Sequence, residues 1–347
     1  MSFLLTLIQA AGLGCASAAA GRRVMHYLQL ESYQLPGYIK SVKRNAMRAL
    51  IPPIAMAAVG VAALKVSGLF GLALLLEALT AALLAWQAAK EKAKKPFVAT
   101  ERVKRLTAVH AAVNTVLALI LLLISPTLGY LMPAFEPALL MLAAVVAAPM
   151  EKHIAGQFVK DAQARLAAQP NLIKIGITGS YGKTSTKFLL RDILSVKYNV
   201  LATPSSFNTT MGVTRVIREQ LTPAHQVFIA EMGARHVGDI RELVELVHPQ
   251  MGLITSVGPQ HLDTFGTIER VRDTKYELID GLPKDGTAIF ARDGAICEEL
   301  FDRCPLEKKY KPGMLVDAKN MACGPWGTRF TLVDIQTGEE ANCQTRL

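Results

Sequence analysis

The chain has 347 residues, with 38 Lys or Arg against 28 Asp or Glu, 51% apolar residues and 6% aromatics. That length holds two or three domains. The charge is uneven: residues 1–150 carry 14 basic and 5 acidic side chains, and residues 151–347 carry 24 and 23. The balance in the second half argues against a nucleic-acid face there, which needs clustered Lys and Arg. The five cysteines, Cys15, Cys297, Cys304, Cys323 and Cys343, include no C-x-x-C pair, so they read as reduced thiols rather than a zinc site.

Apolar runs dominate the first half. Phe3 to Ala20 is the first, and Arg22-Arg23 follows it at once. No basic region precedes it, so it reads as an uncleaved anchor rather than a signal peptide. Leu50–Leu64, Leu69–Trp86, Leu106–Leu123 and Ala134–Met150 complete a set of five. Each approaches the length that a bilayer's hydrocarbon core, about 30 Å thick, requires. The segments 21–48 and 88–105 hold Arg22, Arg23, Lys40, Lys43, Arg44, Arg48, Lys90, Lys92, Lys94, Lys95, Arg102, Lys104 and Arg105. The positive-inside rule puts both segments, and everything after residue 150, in the cytoplasm, with the N-terminus outside. Gln9, Glu77, His110 and Asn114 are polar residues inside the runs. An intramembrane carboxylate such as Glu77 is a functional candidate, and the favoured reading is that it pairs within the bundle, for instance with His110, or sits protonated. Segment 24–47 mixes Tyr27, Leu30, Tyr33, Leu35 and Tyr38 with basic residues. It reads either as an interfacial helix or as a solvated loop.

Glu151 to Gln169 predicts a helix leading out of the membrane region, ended by Pro170. After it, apolar β-prone runs alternate with helical patterns. Strands are predicted over 172–178, 199–203, 226–231, 251–256 and 286–290. Helices are predicted over 183–196, 211–221, 237–247, 267–280 and 294–302. Such alternation specifies an α/β domain whose mainly parallel sheet carries helices on both faces. A hairpin is predicted from Arg329 to Asn342 around Gln336-Thr337-Gly338. The chain thus divides into a transmembrane bundle (1–150), a linker helix (151–170) and the α/β domain (171–347).

The stretch LIKIGITGSYGKTSTK, residues 172–187, organises that domain. A strand runs into Gly179-Ser180-Tyr181-Gly182, and Lys183-Thr184-Ser185 opens a helix. Backbone N–H groups and the positive end of a helix dipole bind phosphate at such a junction. The lysine adds a mobile charge, and the hydroxyl after it can ligate Mg²⁺. The usual phosphate loop has a further glycine where Ile177 stands. In a parallel sheet, ligands bind beyond the carboxyl ends of the strands. Ser205 to Thr210, Glu231 to Ala234 and Gly258 to His261 fall at such ends. Glu231 closes an apolar strand where a carboxylate can hold Mg²⁺ directly or through water. His261 is either a metal ligand or a hydrogen-bonded loop residue.

Together, GITGSYGKTST (176–186), SFNTTMGV (206–213), EMGARHVGDI (231–240) and the long run 248–278 resemble the Mur ligase family, the ATP-dependent amide-forming enzymes of peptidoglycan assembly. The resemblance covers about 172–347, and its wording is nearest to the branch that adds D-Ala-D-Ala. It implies that ATP converts a muramyl-peptide carboxylate, UDP- or lipid-linked, to an acyl phosphate that an amine attacks. It implies that Lys183 and the loop from Gly179 to Ser185 hold phosphate, and that Thr184, Glu231 and His261 serve Mg²⁺. Lys275 matches a lysine carried as a carbamate, Asn208 and Thr209 match residues near the acceptor, and Asp293 matches a nucleotide contact. Ala291-Arg292-Asp293 lacks the asparagine that usually accompanies that aspartate.

The family's sugar-binding first domain has no counterpart here; a membrane region occupies its place. The chain reaches Leu347 about where the linker to the family's third domain begins, so it is read as a fragment or as a protein that does not complete the ligation. The alternative function is a membrane-tethered ATP-binding scaffold or sensor. An ATP-driven transporter is disfavoured, because no LSGGQ-like signature is present.

Overall fold

A computed structural model describes residues 3–91, 95–205, 207–325 and 327–345. Lys92, Lys94 and Ser206 lie outside the described residues. The chain divides into two units, Met1–Ile154 and Ala155–Leu347.

The first unit is helical. It contains α1 (Phe3–Ala20), α2 (Arg22–Leu30), α3 (Leu35–Arg44), α4 (Ala46–Ser67), α5 (Phe70–Lys90), α6 (Glu101–Ile124), α7 (Pro126–Leu131), a 3₁₀ turn (Met132–Phe135) and the start of α8 (Glu136–Ala167). By length and composition, α1, α4, α5, α6 and the stretch Pro126–Ala167 could each cross a membrane. Gly68, at φ 64°, ends α4 in the left-handed conformation that terminates helices and starts the turn into α5. The Thr100 hydroxyl accepts from Val103 N at 3.3 Å and caps α6. Segment 24–47 is not a loop: Val24, Met25, Leu28 and Tyr38 of α2 and α3 pack with Val103, Leu106 and Leu140.

The apolar run from Ala134 is not one helix from its start. It opens in the 3₁₀ turn, and α8 begins only at Glu136. That carboxylate is buried, accepts from the Ser17 hydroxyl, and lies 2.9 Å from His110 Nε2. Asn114, one turn beyond His110 on α6, donates to it at 3.5 Å. The expected Glu77–His110 pair therefore does not form, because His110 faces Glu136 instead. Glu77 is fully buried against Gly60 of α4, where any Cβ would overlap its carboxylate. Neither Glu77 oxygen has a hydrogen-bond partner among the described residues.

The second unit holds β1 (Ile173–Thr178), α9 (Lys183–Leu194), β2 (Val200–Ala202), α10 (Thr210–Gln220), β3 (Val227–Glu231), α11 (Asp239–Val247), β4 (Met251–Ile254), α12 (Leu262–Phe265), α13 (Ile268–Asp280), β5 (Thr287–Phe290), α14 (Gly294–Arg303) and β6 (Lys308–Tyr310). The six strands are parallel in the order β2-β3-β1-β4-β5-β6. Period-two alternation sends Val227 and Ile229 to one face, with Leu190 and Leu194 of α9. Phe228 and Ala230 point to the other, among α10, α11, α13 and α14. Gly176 and Gly252 face α13, and the Leu278 side chain fills the space a Cβ would take. Ala162 and Leu166, at the end of α8, join this second core.

An antiparallel sheet of β7 (Val316–Gly324), β8 (Gly327–Asp334) and β9 (Glu340–Thr345) follows. The predicted hairpin is β8–β9. Asp334 Oδ1 accepts from Gln336 N and Thr337 N, both at 2.9 Å, and shapes its turn. Neither β6 nor β7 was predicted.

Candidate phosphate-binding site

Parallel strands all point their carboxyl ends one way, so β1, β3, β4 and β5 deliver their following loops to one edge. The loop after β1 is strapped to the end of β4. Ser180 N donates to Ser256 O at 2.8 Å, Tyr181 N to Ser256 Oγ at 2.7 Å, and Thr255 Oγ1 to Tyr181 O at 2.6 Å. Gly179 must be glycine: its φ is 148°, and a Cβ there would meet Thr255 Oγ1 and, at 2.9 Å, Ser256 N.

These straps occupy two of the loop amides assigned above to phosphate. The N–H groups of Gly182, Lys183, Thr184 and Ser185 make no hydrogen bond among the described residues. They sit at the start of α9, where the helix dipole adds positive potential. The Lys183 ammonium folds back onto Gly179 O (2.6 Å) and Ser180 O (3.2 Å). Burial lowers its pKa, and the nearby Glu231 charge opposes that. A phosphate is a stronger acceptor than two carbonyls, so the ammonium is available to an incoming anion.

Glu231 ends β3 with 1% exposure. Its Oε2 accepts from Thr184 Oγ1 at 2.9 Å and from Lys187 Nζ at 2.8 Å; its Oε1 accepts from Asn208 Nδ2 at 3.0 Å. Its own N–H donates to Thr203 Oγ1 at 3.1 Å. Thr184 gives its proton to Glu231, which leaves the hydroxyl's lone pairs for a cation. Among the described residues there is no group of three or more His, Cys, Asp and Glu side chains suited to a metal. The donors are those of a phosphate-bound Mg²⁺, where protein supplies one or two ligands and phosphate oxygens the rest.

Lys275, on α13, is 1% exposed and makes no hydrogen bond or ion pair among the described residues. Burial, then the Lys183 charge, lowers its pKa to about 8, against Asp239 and Glu277. His261 precedes α12 at φ 55° and is exposed. Partial desolvation lowers its pKa, helped by the Arg235 and Lys275 charges. Lys183, Lys275, His261 and Arg235 thus share one electropositive field. Thr209 caps α10, accepting from Gly212 N at 3.2 Å. Asp293 precedes α14, exposed and without a capping bond. Ser185 is exposed in the first turn of α9.

Sequence reasoning passed over Lys187, Thr203, Thr255 and Ser256. Lys187 had a signal: it falls at helical spacing with Leu190 and Leu194 on the face that α9 buries. A lysine on such a stripe requires a partner.

This combination defines a phosphate-loop α/β domain with an acidic strand end. Residues 177–347 match the Mur ligase middle domain, and the chain belongs to the Mur ligase family. It is 40% identical over 129 residues to the UDP-N-acetylmuramoyl-tripeptide–D-alanyl-D-alanine ligase of a Synechocystis strain, covering 37% of this chain and 28% of that protein. It is 30% identical over 164 residues to the ligase of the same name from Bacillus subtilis, covering 47% and 35%. The chain therefore spans about a third or less of these relatives' length. Among solved structures, MurF from Acinetobacter baumannii matches with a TM-score of 0.51 and 26% identity, over 55% of this chain and 42% of that one.

Proposed function

We propose that this protein is a membrane-anchored Mur-type ligase of peptidoglycan precursor synthesis. An acceptor carboxylate oxygen on a muramyl peptide takes the γ-phosphoryl group from ATP, and ADP leaves. An amine, D-Ala-D-Ala or a related one, then attacks the acyl carbon, phosphate departs and the amine loses a proton. The reading is carried by one cluster: free amides at the start of α9, with Lys183 and Thr184, 2.9 Å from a buried strand-end carboxylate. The names of the relatives supply the acceptor and the amine.

Each residue has a stated task. The free amides and Lys183 bind the phosphates and stabilise charge as the phosphoryl group moves. Thr184 holds Mg²⁺, which when bound offsets phosphate charge, and Glu231 fixes the Thr184 hydroxyl. A pKa of about 8 leaves about a tenth of Lys275 neutral at pH 7, far more than an ordinary lysine. Its amine can then add to CO₂, losing a proton and becoming a carbamate, which supports the second Mg²⁺ with His261. Asn208 and Thr209 line the acceptor side, and Asp293 contacts the nucleoside.

The first unit provides the anchor, a multi-pass bundle in the cell membrane with the basic segments 21–48 and 88–105 cytoplasmic. The acceptor is then UDP-linked or lipid-linked. The test supplies purified full chain, in detergent, with ATP, Mg²⁺, each acceptor in turn and hydroxylamine. ATP-dependent acyl hydroxamate is expected, and it is lost in Lys275→Ala. Nucleotide binding without hydroxamate from either acceptor would contradict the ligase and favour a scaffold or sensor.

A further inference from the structure

Lys187 is the largest departure of this site from its sequence reading. It is fully buried on α9, yet it carries an ammonium. A buried cation persists only when paired and hydrogen-bonded. Its two acceptors come from different segments: Glu231 Oε2, at the end of β3, at 2.8 Å, and Ser205 O, after β2, at 2.5 Å. Ser205 holds φ at 44°, a left-handed conformation that a non-glycine residue rarely adopts. Its carbonyl is anchored by Lys187. Three residues on, Asn208 returns to the other oxygen of the same carboxylate.

We propose that Lys187 is a positioning residue that joins the two halves of the site. It holds Glu231 to Thr184 on the nucleotide side and clamps the Ser205 carbonyl on the acceptor side. The inference rests on the ligase reading above. A carboxylate offers about four lone-pair directions. Three on Glu231 are taken by Thr184, Lys187 and Asn208. Glu231 therefore acts on Mg²⁺ through the Thr184 hydroxyl, with its charge largely offset by Lys187.

The arrangement makes a prediction that a merely structural lysine does not: losing Lys187 moves metal binding and loop order in opposite directions. The full chain in detergent is compared with Lys187→Met and with Lys187→Met/Glu231→Gln, using the ATP analogue AMPPNP and Mn²⁺ read by electron paramagnetic resonance. For Lys187→Met, AMPPNP binding in EDTA should stay within about twofold, because the α9 amides and Lys183 are intact. Mn²⁺ bound with AMPPNP should tighten by about threefold or more, because the Glu231 charge is uncovered. Chymotryptic cleavage after Phe207, measured without nucleotide, should speed up by about tenfold. The double variant should reverse the Mn²⁺ effect and keep the fast cleavage; having no unpaired buried charge, it also serves if the single variant does not fold. Weaker or unchanged Mn²⁺ binding in folded Lys187→Met, or wild-type cleavage in the double variant, overturns the proposal. A wild-type chain that binds no AMPPNP overturns the ligase reading instead, and the nucleotide-free cleavage still decides the role of Lys187.

Discussion

Each unit buries a glutamate almost completely, and the surroundings of the two differ. Glu231 accepts from a hydroxyl and an ammonium of α9 and from an amide of the segment after β2, beside a parallel sheet. Glu77 lies in a helical bundle, packed over Gly60, and neither of its oxygens has a partner among the described residues. A third carboxylate, Glu136, lies between these extremes, with Ser17, His110 and Asn114 around it. The difference follows from architecture. Strand ends in an α/β sheet converge on one edge and bring polar loops together. Helices in a bundle offer mainly side chains, since their backbone groups are already bonded. A carboxylate satisfied by three donors at a strand end is thus a mark of a built site, which the bare carboxylate in the bundle lacks.

Substitutions test this contrast, and the largest effect is expected at Lys183. Removing a preorganised charge donor from a phosphate site costs about 10²–10³-fold in turnover. Lys183→Ala should lower hydroxamate formation by that factor while the unfolding midpoint of the helical unit stays in place. Equal loss from a substitution in the bundle would erase the distinction between the units.

The next effect concerns pH. Lys275 has a folded pKa of about 8 against an ordinary 10.5. Between those values the unfolded chain holds more protons, so stability rises with pH across that window. In CO₂-free buffer this group alone should add about 3 kcal/mol to the second unit between pH 8 and 10.5, and Lys275→Met should remove that dependence. A slope that survives the substitution would assign it to another group.

A smaller effect is expected at Glu77. Relieving a buried, unpaired polar group is worth about 1–3 kcal/mol. Glu77→Leu should raise the thermal midpoint of the helical unit and leave AMPPNP affinity unchanged. A lower midpoint would show that the carboxylate is held by something other than packing.

The contrast also explains what could be read in the sequence. Glycine punctuation, a strand and a Lys-Thr pair marked the loop at 179–184, because each residue type there answers a backbone requirement. Glu231 was visible as an acid closing an apolar run. Lys187 was hidden because periodicity treats lysine as a surface residue, although it shares a face with Leu190 and Leu194. The edge strand β6 has only three residues, two of them lysines, and β7 is almost wholly exposed with a bulge between Lys319 and Ala322, so neither shows apolar alternation. The partner of His110 was misjudged because composition locates apolar runs but not which faces meet. The Ser180 and Tyr181 amides were assigned to phosphate because only the folded chain shows Ser256 bonded to both.

The most direct test is equilibrium binding of AMPPNP with Mg²⁺ to the full chain, compared across wild type, Lys183→Ala and Glu77→Leu. The phosphate loop of the second unit predicts binding by the wild type, a loss of about 100-fold in Lys183→Ala, and wild-type affinity in Glu77→Leu. Undiminished binding in Lys183→Ala would contradict it.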